Sequence, residues 1–199
     1  MKRSATMLAL GALVLAIALP ARAATTQVSM TTQLTYDPTP VSVALGDTVL
    51  WTNTSSFSHT ATQNAGFFDT GVVAQEASKG KVLKFGGTFP YHCEIHGPTM
   101  HGTVKVLDKW LNTGAQHPGD VQRIRIAAVK APAPLAFDVQ MRVTGDDTWT
   151  PFKQKIKNAI VKFTPSETGE YQFRSRLHRL SNNQVSGWSP RTFVEIDPA

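Results

Sequence analysis

Short runs in which apolar and polar residues alternate, cut by glycine and proline, constrain this chain more than any other feature. Val41, Val43 and Leu45 alternate with polar neighbours, Gly46-Asp47 marks a turn, and Val49 and Trp51 resume on one face. Further on, Phe89, Tyr91 and Cys93 share a face, and so do Val104 and Val106. Successive side chains of an extended strand point to opposite sides, so each such run builds one half-buried strand. Little of the sequence after Ala24 follows the helical period. Short strands at this spacing fold as sandwiches or barrels, which predicts an all-β protein.

Between two of these runs lies YHCEIHGPTMHGTVKV, Tyr91 to Val106, which packs Cys93, His96 and Met100 into one loop. Each alone is ordinary: a lone buried cysteine is usually an inert small hydrophobe, and a methionine near a strand end is usually core filling. Together, thiolate, imidazole and thioether form a soft ligand set. With a second imidazole they make the trigonal His/His/Cys arrangement with a weak axial Met that suits copper. The candidate second imidazole is His59, thirty-four residues before Cys93, in the segment SFSHTAT. Strand alternation puts His92 and Glu94 on the face opposite Cys93, and so outward. His101 directly follows Met100 and competes with it for the axial position. His117 and His178 have no partner visible in the sequence.

The first residues, MKRSATMLALGALVLAIALPARA, combine a positive end, a short apolar run and a small-x-small site. That pattern predicts a signal peptide over residues 1–23, cleaved after Ala23, and a periplasmic or secreted location. The apolar run is too short to cross a bilayer, so no transmembrane segment is expected in the mature chain. Cys93 is the only cysteine and can make no internal disulfide. An unpaired cysteine in an exported chain is a case for a metal-bound or reactive thiol. Removing residues 1–23 lowers the net charge from +6 to +3, of which residues 24–107 carry −1 and residues 108–199 carry +4. Export argues against nucleic acid as the partner of the basic half. An acidic protein or an anionic surface fits it better.

Residues 28–107 resemble the cupredoxins, most closely the plastocyanin and amicyanin branch. The likeness is carried by VSVALGDTVLWTN, SHTAT and GTFPYHCEIHGPTMHGTVKV. It implies a cupredoxin Greek-key β-sandwich over residues 24–107 holding one copper ion, Cu(I)/Cu(II). His59, Cys93 and His96 would be the equatorial ligands and Met100 the axial one. The spacing C-x-x-H-x-x-x-M falls between the amicyanin and plastocyanin patterns, so the resemblance leaves the axial choice between Met100 and His101 open. Thr60 stands where the family usually has Asn, and Ile95 where it usually has Pro.

Residues 108–120 lose the alternation and gather Gly, Pro and Asn, which reads as a linker with a turn of helix around Lys109 to Leu111. Strands are predicted over 123–129, 137–143, 160–163, 171–177 and 192–196. Residues 121–199 resemble a fibronectin type III domain through TPSETGEYQFRSRL and SGWSPRTFVEI. The fold class is therefore all-β, with the cupredoxin sandwich followed by a second, smaller immunoglobulin- or fibronectin III-like β-sandwich. In that family a tyrosine hydrogen-bonds back across a corner, a role falling to Tyr171. Trp188 would stack between Arg174 and Arg176.

The expected function is that of an exported mononuclear type 1 (blue) copper protein that transfers one electron between periplasmic redox partners. The second domain would dock a protein or a surface. No enzyme is expected: a site filled by two His, Cys and Met has no position for substrate, and no Ser/His/Asp set or carboxylate pair stands out. Asp146-Asp147 reads as an ordinary turn. The alternative is a copper-binding or delivery protein without redox turnover.

Overall fold

A computed structural model describes residues 23–198. The predicted signal peptide lies outside the described residues, apart from Ala23. The first half consists of β1 (Thr25–Met30), β2 (Tyr36–Asp37), β3 (Val41–Ala44), β4 (Thr48–Asn53), β5 (Thr62–Gln63), β6 (Ser78–Val82), β7 (Gly87–Cys93) and β8 (Gly97–Leu107). They form two four-stranded sheets, in the orders β2-β1-β4-β6 and β3-β8-β7-β5. Two pairings are parallel, β1 with β4 and β3 with β8, and the rest are antiparallel.

The alternation read from the sequence is the alternation of burial. Phe89, Tyr91 and Cys93 point inward from β7, and Met100, Val104 and Val106 from β8. Trp51 of one sheet meets Tyr91 of the other edge-on at 5.5 Å, and Tyr36 meets Tyr91 at 4.6 Å. These aromatic contacts hold the sheets face to face, and each is worth about 0.5–1.5 kcal/mol beyond its area burial. Across the β7–β8 ladder Tyr91 lies beside Gly102, where an added Cβ would overlap the Tyr91 ring. Gly102→Ala must therefore displace an aromatic ring in a full core. A loss of about 1–3 kcal/mol in denaturant-measured stability is expected, and an unchanged midpoint would show that the ring has room to move.

The second half adds β9 (Lys109–Trp110), β10 (Gln122–Arg125), β11 (Leu135–Val143), β12 (Thr150–Ile156), β13 (Ile160–Phe163), β14 (Gly169–Arg179), β15 (Gln184–Val185) and β16 (Thr192–Ile196). Strands β13-β10-β9 make one sheet. In the other, β12-β11-β14-β15, strand β14 also pairs with β16. Phe173 of β14 packs on Phe163 at 5.3 Å and on Trp110 at 5.8 Å, so these sheets also face each other. Tyr171 donates from its hydroxyl to the Glu167 carbonyl at 3.1 Å, four residues upstream. Arg174 and Arg176 lie over Trp188 at 5.0 and 4.5 Å, and Arg174 and Arg142 over Trp149 at 4.3 and 4.7 Å.

Two details differ from the sequence reading. Lys109 and Trp110 are not a turn of helix but a strand pairing with β10, because the Trp110 ring is drawn onto the second core. The run Val82, Leu83 and Phe85 also reads as a strand before the Gly86-Gly87 turn, but β6 ends at Val82; Phe85 instead bridges to Ala127 and packs on Phe137 at 5.7 Å.

The halves are joined by more than residues 108–120. Gly86 N–H donates to the Ile126 carbonyl, Ala128 N–H to Lys84, and Thr88 and Gly187 exchange a pair of backbone bonds at 2.9 and 2.8 Å. Arg179 donates to the carbonyls of Ala65 and Gly66 and covers the Phe67 ring at 4.8 Å. The SGWSP run thus does more than lead into the last strand: Gly187 and Trp188 grip Thr88 of β7, the strand that ends in Cys93.

Candidate metal centre

Three connections meet at one end of the first sandwich. His59 stands between β4 and β5 and bridges to Val73 through backbone bonds of 3.1 and 2.7 Å. Cys93 is the last residue of β7, and His96 lies in the turn to β8. Their donor atoms close a triangle. His59 Nδ1 is 3.2 Å from His96 Nδ1, Cys93 Sγ is 3.4 Å from His96 Nδ1, and Cys93 Sγ is 3.8 Å from His59 Nδ1. An ion bonded to nitrogen at about 2.0 Å and sulfur at about 2.3 Å in one plane needs edges of about 3.5 and 3.7 Å. The triangle matches within a few tenths of an ångström. Among the described residues this is the one group of three His, Cys or acidic side chains whose ligand atoms already lie within 4.8 Å of one another.

Burial divides the ligands. His59 and Cys93 are fully buried, and His96 is only partly covered. Burial, and then the neighbouring His96, hold the His59 imidazole below its ordinary pKa, which keeps a lone pair available for a metal. Met100 is fully buried on β8 in the same apolar cluster as Cys93. His101, its competitor for the axial place, is exposed on the other face of the strand, with Nδ1 3.2 Å from the Pro98 carbonyl.

Of the residues that support the ligands, the sequence singled out only Thr60. Ser55 Oγ lies 2.7 Å from His59 Nε2 and fixes the ring with Nδ1 toward Cys93. Asn53, fully buried at the end of β4, donates to the carbonyls of Phe57 and Val73 and accepts from Ser55 N–H, which shapes the loop carrying His59. Thr60 N–H donates to Cys93 Sγ at 3.3 Å, and Thr60 Oγ1 accepts from Glu94 N–H at 2.9 Å. Tyr36 in turn donates to the Thr60 carbonyl. Thr60, standing where the resemblance leads one to expect Asn, thus ties the two ligand segments together, and such outer partners orient and tune a metal's ligands.

Two imidazoles and a thiol in this triangle, at the end of a β-sandwich, define a candidate copper centre by donor chemistry. Over part of its length the chain is similar to several solved structures. It matches a methionine-to-glutamine mutant of amicyanin, Cu(I), at 26% identity, covering 41% of this chain and 81% of that one, with a TM-score of 0.38. The reduced Cu(I) form at pH 4 of a proline-to-glycine mutant of amicyanin matches at 27% identity, over 44% of this chain and 85% of that one, with a TM-score of 0.38. A novel purple cupredoxin from Nitrosopumilus maritimus matches at 24% identity, over 40% and 97%, again at 0.38. No protein-family model and no curated protein matches the chain. Among the described residues, no helix is long and apolar enough to cross a membrane.

Proposed function

We propose that this protein is an exported one-electron carrier of the type 1 copper kind, with His59, Cys93 and His96 as equatorial ligands and Met100 as the axial donor. The observation that carries the reading is the closed triangle of 3.2, 3.4 and 3.8 Å, buried on two of its three corners. When bound, copper would supply the Cu(I)/Cu(II) couple, taking one electron from a donor protein and passing it to an acceptor. The chain's part is to hold the donor atoms in place. His59 is locked through Ser55, and the Cys93 sulfur accepts from Thr60 N–H, so little rearrangement need accompany a change of charge.

Burial of Cys93 and His59 favours a carrier of electrons over a carrier of metal, since delivery calls for an exchangeable site. The partly exposed His96 is the natural route for the electron. Phe57 and Ile95 beside it are 55% and 50% exposed, and Phe57 meets the His96 ring edge-on at 6.3 Å. An apolar rim of this kind suits a transient protein partner. The domain boundaries near residues 107 and 121, the fibronectin III-like character of the second half and its docking role belong to the same proposal. The ladder Arg142–Trp149–Arg174–Trp188–Arg176, in which arginines and tryptophans alternate, supports an acidic partner surface there.

Voltammetry of the copper-loaded protein tests the function. A reversible one-electron wave is expected, whereas a colourless Cu(I) protein that exchanges its metal rapidly would favour delivery. In Met100→Leu we expect copper to be retained and the potential to rise, because a weak axial donor is lost. An unchanged potential and spectrum would remove Met100 from the centre.

A further inference from the structure

The outer face of the β7–β8 pair carries metal-binding side chains that the centre does not use. His92 and His101 stand directly opposite each other in the ladder, on the side away from Cys93. They line one cleft with Asn64, Glu94, Gly97 and Pro98. Both rings are held through Nδ1: His92 lies 2.8 Å from Asn64 Oδ1, and His101 lies 3.2 Å from the Pro98 carbonyl oxygen. Carbonyl oxygens only accept, so the proton sits on Nδ1 of each ring and the lone pair on Nε2. An imidazole whose N–H is anchored to an oxygen and whose other nitrogen is free is arranged as metal-ligating histidines are. Residues directly opposite in an antiparallel pair have Cβ atoms about 4.5–5.5 Å apart, within reach of a shared ion. Glu94, also outward, is the carboxylate of the cleft and forms no salt bridge among the described residues.

We propose that His92 and His101 bind a second metal ion through their Nε2 atoms, a divalent first-row ion of the Cu²⁺ or Zn²⁺ kind. Imidazole nitrogen suits these ions, and Glu94 supplies a third donor by rotation of its side chain. The site is distinct from the Cys93 centre and does not depend on it.

Calorimetric titration with Zn²⁺ tests this on protein already loaded with one equivalent of copper, and in parallel on copper-free protein. One saturable Zn²⁺ beyond the copper is expected. The His92→Ala/His101→Ala double variant should lose it in both preparations while keeping its circular dichroism. Asn64→Ala, which frees the His92 ring, should weaken it about tenfold, with the visible band of bound copper unchanged. A wild-type protein taking up no additional Zn²⁺, or a double variant binding as many ions as wild type, overturns the proposal. If instead the Cys93 centre holds no copper, the one-ion difference between wild type and double variant persists, so the two failures are told apart.

Discussion

Cys93→Ser is expected to abolish the intense visible absorption of the copper-loaded protein outright while leaving the far-UV circular dichroism largely as it was. The colour of a type 1 centre belongs to the copper–thiolate bond, and a serine hydroxyl offers neither the soft sulfur nor its charge. The fold should survive because Cys93 makes no disulfide and the two sheets are held by Trp51, Tyr36 and Tyr91 rather than by metal. The side chains of Ser and Cys differ little in size, but the Thr60 N–H that now donates to Sγ would be left with a shorter-reaching acceptor. A modest loss of stability accompanies the complete loss of colour. A blue band retained in the serine variant would take the thiolate out of the site.

The second large effect is a pH dependence written into the junction of the two halves. The Asp108 carboxyl is buried there, with Ser175 Oγ 2.8 Å from Oδ1 and Ser189 Oγ 2.7 Å from Oδ2, and Gly86 backs it so closely that any Cβ would clash. Burial pushes its pKa up from 3.8 to about 7, against the lowering effect of the Ser189 and Ser175 hydrogen bonds. A raised carboxyl pKa means that the folded state binds the proton more tightly than the unfolded state. Stability is then greatest below the unfolded pKa and falls as pH rises toward 7, by about 4 kcal/mol in all at about 1.4 kcal/mol per pKa unit. Asp138 has the opposite sign: the Lys155 N–H, Arg176 and His178 overcome its burial and lower its pKa, so its contribution is lost only in acid. His59, also lowered, weakens the metal-free fold as pH falls below its unfolded value. Comparing Asp108→Asn with wild type cancels both. The variant should gain on wild type by about 4 kcal/mol between pH 4 and pH 8 in chemical denaturation, and parallel profiles would show that the Asp108 carboxyl is not held protonated by burial.

Much of the fold and centre was legible in the sequence, for reasons that particular residues make plain. Phe89, Tyr91 and Cys93 alternate because β7 has one wet and one dry face, and that alone places the thiol inside. His96 follows from the same short loop, and the alternation along β8 puts Met100 on the buried face. His59 needed the likeness to a known family, since nothing in SFSHTAT by itself brings it to Cys93. Ser55 and Asn53 were hidden because a hydroxyl or amide in a Ser/Thr-rich loop looks the same whether it orients an imidazole or faces water, and Thr60 stood out by position but not by the partners it binds. Strand β12 was missed because its outward lysines and Pro151 leave no alternation to read. The meeting of His92 and His101 depends on the β7–β8 register and its shift at Cys93, which composition does not encode.

X-ray absorption at the copper edge of the protein loaded with one equivalent shows whether His59, Cys93 and His96 converge on one copper ion. Two imidazole nitrogens and one short-bonded sulfur are expected around the copper in wild type, with that sulfur gone in Cys93→Ser. A shell of nitrogen and oxygen alone in wild type would contradict that convergence.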